Sequence, residues 1–470
     1  MVLTASALGG CAVHPVRTPA IALPPAYERP AASNAAPLAL DRWWTLFGDA
    51  QLSQLIDAAL IAAPDARRAL AVLAEARAER SRALAAFDPQ GSLTASAKRQ
   101  HQEISGIGSL PGAGVQLGAG DSTTLAGGFS PSWEIDLFGR RAATARMAQA
   151  DVQAAQFDYE ASRHSLAADV ALNLFEARGL AVRIQQARDT LHILQGLADL
   201  GARRAAAGIG ARADADALAA DAATAAADLS ALDAASAVSR RSLLVLVGRG
   251  ADPLDSLPIA ADLGTPPAIP ATAPAELLVR RPDLRAAEAR LASAIGRLTL
   301  DRLALYPTMN LLPTASATRN TGPVDYNTSL WSIGAGLTLP ILDRGRLLAQ
   351  IRAQDARTEQ AVIAYEAAVQ RAYGEAENRL TTLAADQRRL MDLQTAEGRA
   401  RAAFGAQQKG YRVGIIDLTA LLTAERTWRG NLAALTGLQV TTLRDTVDTF
   451  KALGGGWTPD TAGAADKDMP

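Results

Sequence analysis

Much of this chain is written twice. AAPDARRALAVL at 62–73 and RRPDLRAAEARL at 280–291 each open an alanine-rich stretch on a Pro-Asp pair, and Pro64 and Pro282 are 218 positions apart. Phe87-Asp88-Pro89 meets Leu305-Tyr306-Pro307 at the same separation. From Gly139-Arg140 and Gly345-Arg346 onward the separation is 206, and it holds for Tyr159 with Tyr365, Leu174 with Leu380, Gly208 with Gly414 and Gly248 with Gly454. The second copy is therefore 12 residues shorter (218 − 206), all of them lost between Pro89 and Gly139. That interval holds GIGSLPGAGVQLGAGD at 106–121, a superficial likeness to a phosphate-binding loop. It lacks the Lys-Ser/Thr such a loop needs, and its glycines mark a surface loop, where a deletion is tolerated. Two copies of about 190 residues thus dictate the architecture, and length alone does not.

Each copy reads helix, strand, loop, strand, very long helix, turn, helix. In TTLAGGFSPSWEIDL at 123–137, Leu125, Phe129, Pro131, Trp133, Ile135 and Leu137 take odd positions, and Thr124, Ser130, Ser132, Glu134 and Asp136 take even ones. In SLWSIGAGLTLPI at 329–341, Trp331, Ile333, Ala335, Leu337 and Leu339 are odd, while Ser332, Gly334, Gly336 and Thr338 are even. Such alternation gives a strand one apolar and one wet face. The preceding strands, SLTASAKRQ at 92–100 and LLPTASATRN at 311–320, alternate more weakly, with small polar residues suited to a wet lumen. After Gly139 the period changes: Leu166, Val170, Leu174, Leu180, Ile184, Leu191, Leu194 and Leu197 fall three, four, six or seven apart, a helical stripe. No proline occurs between Pro131 and Pro253, so a helix over about 140–205 runs unbroken and is roughly 100 Å long. Gly208 and Gly210 mark the turn to a partner helix, and Gly414 marks the matching turn in the second copy.

Four strands leave two open edges, and unpaired backbone cannot sit in lipid. The chain is therefore soluble, or it assembles. Three chains give twelve strands; a dimer with eight also closes the edge. No run of about 18 apolar residues supplies a membrane helix. Apolar residues are 49% of the chain but aromatics only 4%, a composition suited to long, closely packed helices. A net charge of −1 gives no sign of nucleic acid.

Leu8-Gly9-Gly10-Cys11 fits a lipoprotein cleavage site, with the chain's single cysteine as the acylated residue. The ten residues before it carry no Lys or Arg, so the reading expects the true start upstream. The boundaries expected are a signal region at 1–11, a Pro/Ala-rich tether at 12–40, a first repeat at 41–250 and a linker at 251–273. A second repeat at 274–453 and a disordered tail at 454–470 follow. The β-hairpins are expected at about 90–137 and 309–341, and the helical hairpins at about 140–247 and 346–452.

Four stretches taken together are the site ending at Cys11, WWTLFGDAQLSQLIDAAL at 43–60, RRPDLRAAEARL, and YRVGIIDLTALLTAERTW at 411–428. They closely resemble the outer membrane factors of tripartite efflux pumps, the TolC-like family, and within it the lipoprotein branch containing OprM and NodT. The resemblance covers about residues 41–455. It implies a mainly α fold with membrane β: a homotrimer whose twelve-stranded outer membrane barrel, four strands per subunit, continues into a long periplasmic α-helical barrel. It implies palmitate-type lipid anchoring at Cys11 in the outer membrane of a Gram-negative bacterium. Its periplasmic tip docks an adaptor (membrane fusion) protein and, through it, an inner-membrane RND-type transporter, so the chain is a passive conduit for small toxic compounds and drugs. On that resemblance the tip and gate residues are Gly208, Asp214, Asp216, Gly414 and Asp417. Tyr411-Arg412-Val413-Gly414 keeps the family pattern, whereas the first copy has Ala205 in place of the tyrosine. Asp214 stands where relatives commonly carry an aspartate, its counterpart in the second copy is Ala420, and Thr423 stands where many relatives carry a second aspartate, which thins the acidic gate. The lipid-facing set is Leu125, Phe129, Trp133, Trp331, Ile333 and Leu337.

Nothing in the sequence assembles a catalyst. His14, His101, His164 and His192 are scattered, out of metal-ligand spacing, and the lone cysteine sits in the signal region. The expectation is no enzyme, no cofactor and no metal. Two other readings stay open: a type I secretion channel for polypeptides, and a soluble helical scaffold with the strands in a small sandwich.

Overall fold

A computed structural model describes residues 15–28, 40–103, 120–270 and 272–455. The first copy contains α1 (Ala50–Ala62), α2 (Pro64–Ala85), β1 (Gln90–Gln102), β2 (Gly120–Ile135), α3 (Arg140–Ala206) and α4 (Arg212–Leu246). After the linker come a one-turn helix α5 (Leu277–Arg280), α6 (Pro282–Leu303), β3 (Thr308–Thr321), β4 (Tyr326–Thr338), α7 (Arg344–Val413) and α8 (Leu418–Ala452). Pro64 and Pro282 each take the first helical position, where the missing N–H has no partner to lose. The glycine-rich interval 104–119 lies outside the described residues, as do Cys11 and residues 456–470.

The long helices, 67 residues in α3 and 70 in α7, end by one device used four times. Gly208, Gly248, Gly414 and Gly454 all have positive φ, between +69° and +82°. At each, the next residue's N–H bonds a carbonyl five positions back, as Ile209 does to Arg204 and Ile415 to Gly410, both at 3.0 Å. This is the Schellman stop, and its αL position is what places glycine at matching points of both copies. Gly454 and Gly455 belong to it: they are buried and close α8, so the free tail expected from 454 begins no earlier than 456.

Compactness divides the chain differently from the repeats. One unit takes residues 1–19, 74–154 and 288–364, the other 20–73, 155–287 and 365–470, so each draws on both copies. The first unit holds the sheet. Its order is β1-β2-β3-β4, antiparallel throughout, so the two hairpins meet along β2 and β3. Among the described residues no strand pairs with the outer edge of β1 or of β4.

The second unit explains two of the recognisable motifs. Trp43 and Trp44 are buried, Trp43 stacked 5.8 Å from Phe450, and Phe47 lies 5.2 Å from Phe175. Asp49 caps α1 by accepting from Leu52 N at 3.0 Å and forms a largely buried ion pair with Arg178. Burial alone would raise that carboxyl's pKa, but Arg178 and the cap N–H together hold it below its ordinary value. In RRPDLRAAE, Arg281 bonds Asp283 at 2.8 Å, Glu375 of α7 at 2.9 Å and the carbonyl of Ala452 at 3.0 Å. Arg285 stacks 4.0 Å over Phe157. These motifs are packing nodes, which is why they are readable in the sequence: buried charge and large aromatics tolerate few replacements.

The segment expected to be a plain tether is fastened where it is described. Arg17 pairs with Glu359 at 2.9 Å in the first unit. In the second, Ala20 N and Glu28 N donate to Glu366 and Glu377, and Tyr27 stacks on Tyr373.

Candidate functional site

Below the Gly208 and Gly414 turns, the last turns of α3 and α7 and the first turns of α4 and α8 share one apolar cluster. Leu194, Leu197, Leu218, Phe404, Tyr411, Leu421 and Trp428 are all buried in it. Phe404 and Trp428 stack at 5.1 Å, and Trp428 Nε1 donates to Glu397 at 3.0 Å. Arg204, from the end of α3, lies 5.2 Å over the ring of Tyr411, from the end of α7. The tyrosine of the second copy is thus covered by a cation of the first, the residue just before the Ala205 that the repeat aligns with it. The sequence signals Tyr411 but not Arg204, because the repeat aligns the tyrosine with Ala205.

The turns themselves are exposed. Ile209, Val413 and Ile415 are 70%, 72% and 79% accessible, an apolar tip that none of the described residues covers. Asp214 and Asp216 are exposed in the first turns of α4, where a carboxylate suits the helix dipole. Asp417 is the N-cap of α8 and accepts from Ala420 N at 2.7 Å. Its side chain thus starts a helix while the carboxylate stays exposed beside the turn.

The sheet presents the second candidate surface. Every cross-strand pair joins odd with odd or even with even, as in Leu93↔Phe129, Phe129↔Ala315 and Ala315↔Trp331. Directly opposed residues project to the same face, so the alternation of two strands extends over all four. The odd face gathers Leu93, Leu125, Phe129, Trp133, Leu311, Trp331, Ile333 and Leu337. The even face gathers Ser92, Thr94, Ser96, Lys98, Thr124, Asn310, Thr314, Ser316, Thr318 and Ser332, with Leu312 and Leu330 as exceptions. The apolar face is uncovered: Trp331 is 81% and Ile333 68% accessible. Trp133 points its indole N–H to the carbonyl of Phe87 at 3.0 Å, and Phe138 packs on Tyr306 at 5.1 Å. An aromatic fringe therefore lines the end of the sheet where the helices join.

The outer membrane efflux protein family model matches residues 55–249 and 273–455. The chain belongs to that family. It is 30% identical to the pyoverdine export outer membrane protein OpmQ of Pseudomonas aeruginosa, over 98% of this chain and 97% of that one. It is 28% identical to the outer membrane protein OprJ of the same organism, over 97% and 95%. Among solved structures, the outer-membrane channel OprN superposes with a TM-score of 0.78 at 29% identity, covering 94% of this chain and 99% of that one. The CmeC outer membrane channel of Campylobacter jejuni shares the fold, with a TM-score of 0.82 at 19% identity over 95% of each chain. The chain is thus an outer membrane efflux protein with the fold of outer membrane channels, and family and fold are those of passive channels.

Proposed function

We propose that three copies of this chain close a twelve-stranded barrel in the outer membrane of a Gram-negative bacterium, anchored in addition by a lipid on Cys11. The odd face, with Leu125, Phe129, Trp133, Trp331, Ile333 and Leu337, lies against lipid, and the even face lines a wet lumen. The tip turns at Gly208 and Gly414 engage a periplasmic adaptor, beyond which an RND-type transporter in the inner membrane supplies the energy. Asp214 and Asp216 lie beside that tip and bias it toward cations. Small toxic compounds pass through without chemistry.

One observation carries this reading: a sheet with an uncovered apolar face and two unpaired edges. Neither feature suits a chain alone, because open N–H and C=O groups are costly in lipid and a bare apolar face is costly in water. Joining β4 of one copy to β1 of the next removes both edges. The dimensions fit as well. The apolar rows run from Ile135 to Leu125, ten residues or about 33 Å along the strand. At a tilt of about 40° that is about 25 Å of height, the depth of the apolar band in membrane barrels.

Purified protein added to a planar bilayer is expected to give discrete, weakly selective single-channel currents. A preparation that binds vesicles yet carries no current would contradict a continuous wet lumen.

A further inference from the structure

The two ends of the odd face differ, and the difference points to a ligand. At the helix-joined end the apolar rows finish in Ile135, Met309 and Leu337, beside the aromatic fringe. At the other end they finish in cations. Arg319 stands in the row of Leu125, opposite it across the β2–β3 pair. Arg99 stands one row further out, opposite Thr123. Beyond them come His101 and Asp121, opposed across β1 and β2. Asp121 accepts from Arg99 at 2.9 Å and pairs with His101 Nδ1 at 2.7 Å. Among the described residues Arg319 has no acidic partner. Of the carboxylates at this end, Asp121 in the next row and Glu103 after the end of β1 lie outward of both arginines, while Asp325, in the β3–β4 turn beside Tyr326, lies outward of Arg319 and accepts from Gly322 N at 2.7 Å. The order along the face is apolar, then cationic, then acidic.

A depression of about 750 Å³ crosses the sheet at this boundary. Ala95, Gly127 and Ala317 form a floor of small odd-face residues, with Leu125, Arg319 and Asn327 beside it. An apolar recess under a guanidinium fits an amphiphile with an anionic head and an acyl body.

We propose that Arg99 and Arg319 bind the phosphate groups of a phosphorylated glycolipid in the outer leaflet, with an acyl chain in the recess beside Leu125. Guanidinium binds phosphate in fixed, often bidentate geometry. The phosphates of such a lipid sit at the hydrocarbon boundary, where the order of side chains on this face places the two arginines. The proposal rests on the odd face being the lipid face.

The test uses the full-length protein in detergent, titrated with lipid A, with dephosphorylated lipid A and with inorganic phosphate. Wild type binds lipid A in preference to the dephosphorylated form. Arg99→Gln with Arg319→Gln weakens lipid A binding at least about tenfold, with the oligomer intact on a sizing column. Lys98→Gln, one residue away on the even face, leaves binding unchanged. Inorganic phosphate at equal concentration does not displace the lipid. Unchanged affinity in the double variant, equal binding of the dephosphorylated lipid, or displacement by free phosphate would each overturn the proposal. Loss of lipid A binding in Lys98→Gln alone would instead show that the even face meets lipid, and so sink the orientation beneath it. If Trp331→Asp blocks membrane assembly while the double arginine variant still binds lipid A, only the glycolipid site falls.

Discussion

At the scale of single residues, two kinds of position make separable demands. Gly414 has φ +82° and Gly208 φ +69°, and a Cβ at either would meet nothing within 4 Å. The demand is therefore torsional rather than steric. Valine at Gly414 is expected to cost roughly 1–2 kcal/mol, read as a lower unfolding temperature and as reduced drug resistance at normal expression. Asparagine, which tolerates the left-handed region, should recover most of both; wild-type resistance with valine at either glycine would argue against a tip role. His164 makes the opposite kind of demand, on charge rather than shape. It is buried in the second unit, near Lys451 and Arg281, and burial followed by those cations lowers its pKa from 6.5 to about 4. The folded state thus resists a proton that the unfolded chain accepts. The stability this neutral imidazole contributes is whole above pH 6.5 and falls as pH drops from there toward 4. His164→Gln should flatten that part of the stability–pH curve; an unchanged slope would mean that His164 is not its source.

At the scale of elements, the outward face of the sheet can be tested by two neighbouring substitutions. Trp331→Asp is expected to cut membrane assembly, because a charge on the lipid face is costly near the middle of the bilayer, up to about 2–4 kcal/mol for Arg or Lys and less for Asp, and the indole's apolar contact with lipid is lost as well. Ser332→Asp, on the even face, should be tolerated. Assembly yields measured by heat-modifiable gel mobility or membrane fractionation check this, and equal yields would overturn the assignment of faces. Elements are also where the sequence is most legible. Period two in β2 and β4, the prolines opening α2 and α6 and the glycines closing four helices place these elements within a few residues, because each is a local backbone requirement. What stays hidden is non-local. Nothing within either repeat says that β2 lies beside β3, that Arg178 reaches back to Asp49, or that Arg204 covers Tyr411. Asp417 reads as a gate candidate because a carboxylate near a turn looks the same whether it faces a channel or caps a helix. The 2.7 Å contact to Ala420 N shows the cap, which the sequence around the turn does not announce.

At the scale of the whole molecule, duplication supplies each chain with two β-hairpins and two helical hairpins. That is enough to make a sheet and too little to close one. The odd face needs lipid, the edges of β1 and β4 need partners, and one closed barrel of repeated chains meets both needs without adding a residue. The apolar tip at Ile209, Val413 and Ile415 is likewise exposed, and under the proposed function it is the surface that an adaptor would cover. The most direct measurement is the number of chains per particle for detergent-solubilised protein, by light scattering corrected for bound detergent. The account predicts three chains per particle, in a form that inserts into lipid vesicles. A stable monomer in plain buffer with no affinity for vesicles would contradict it.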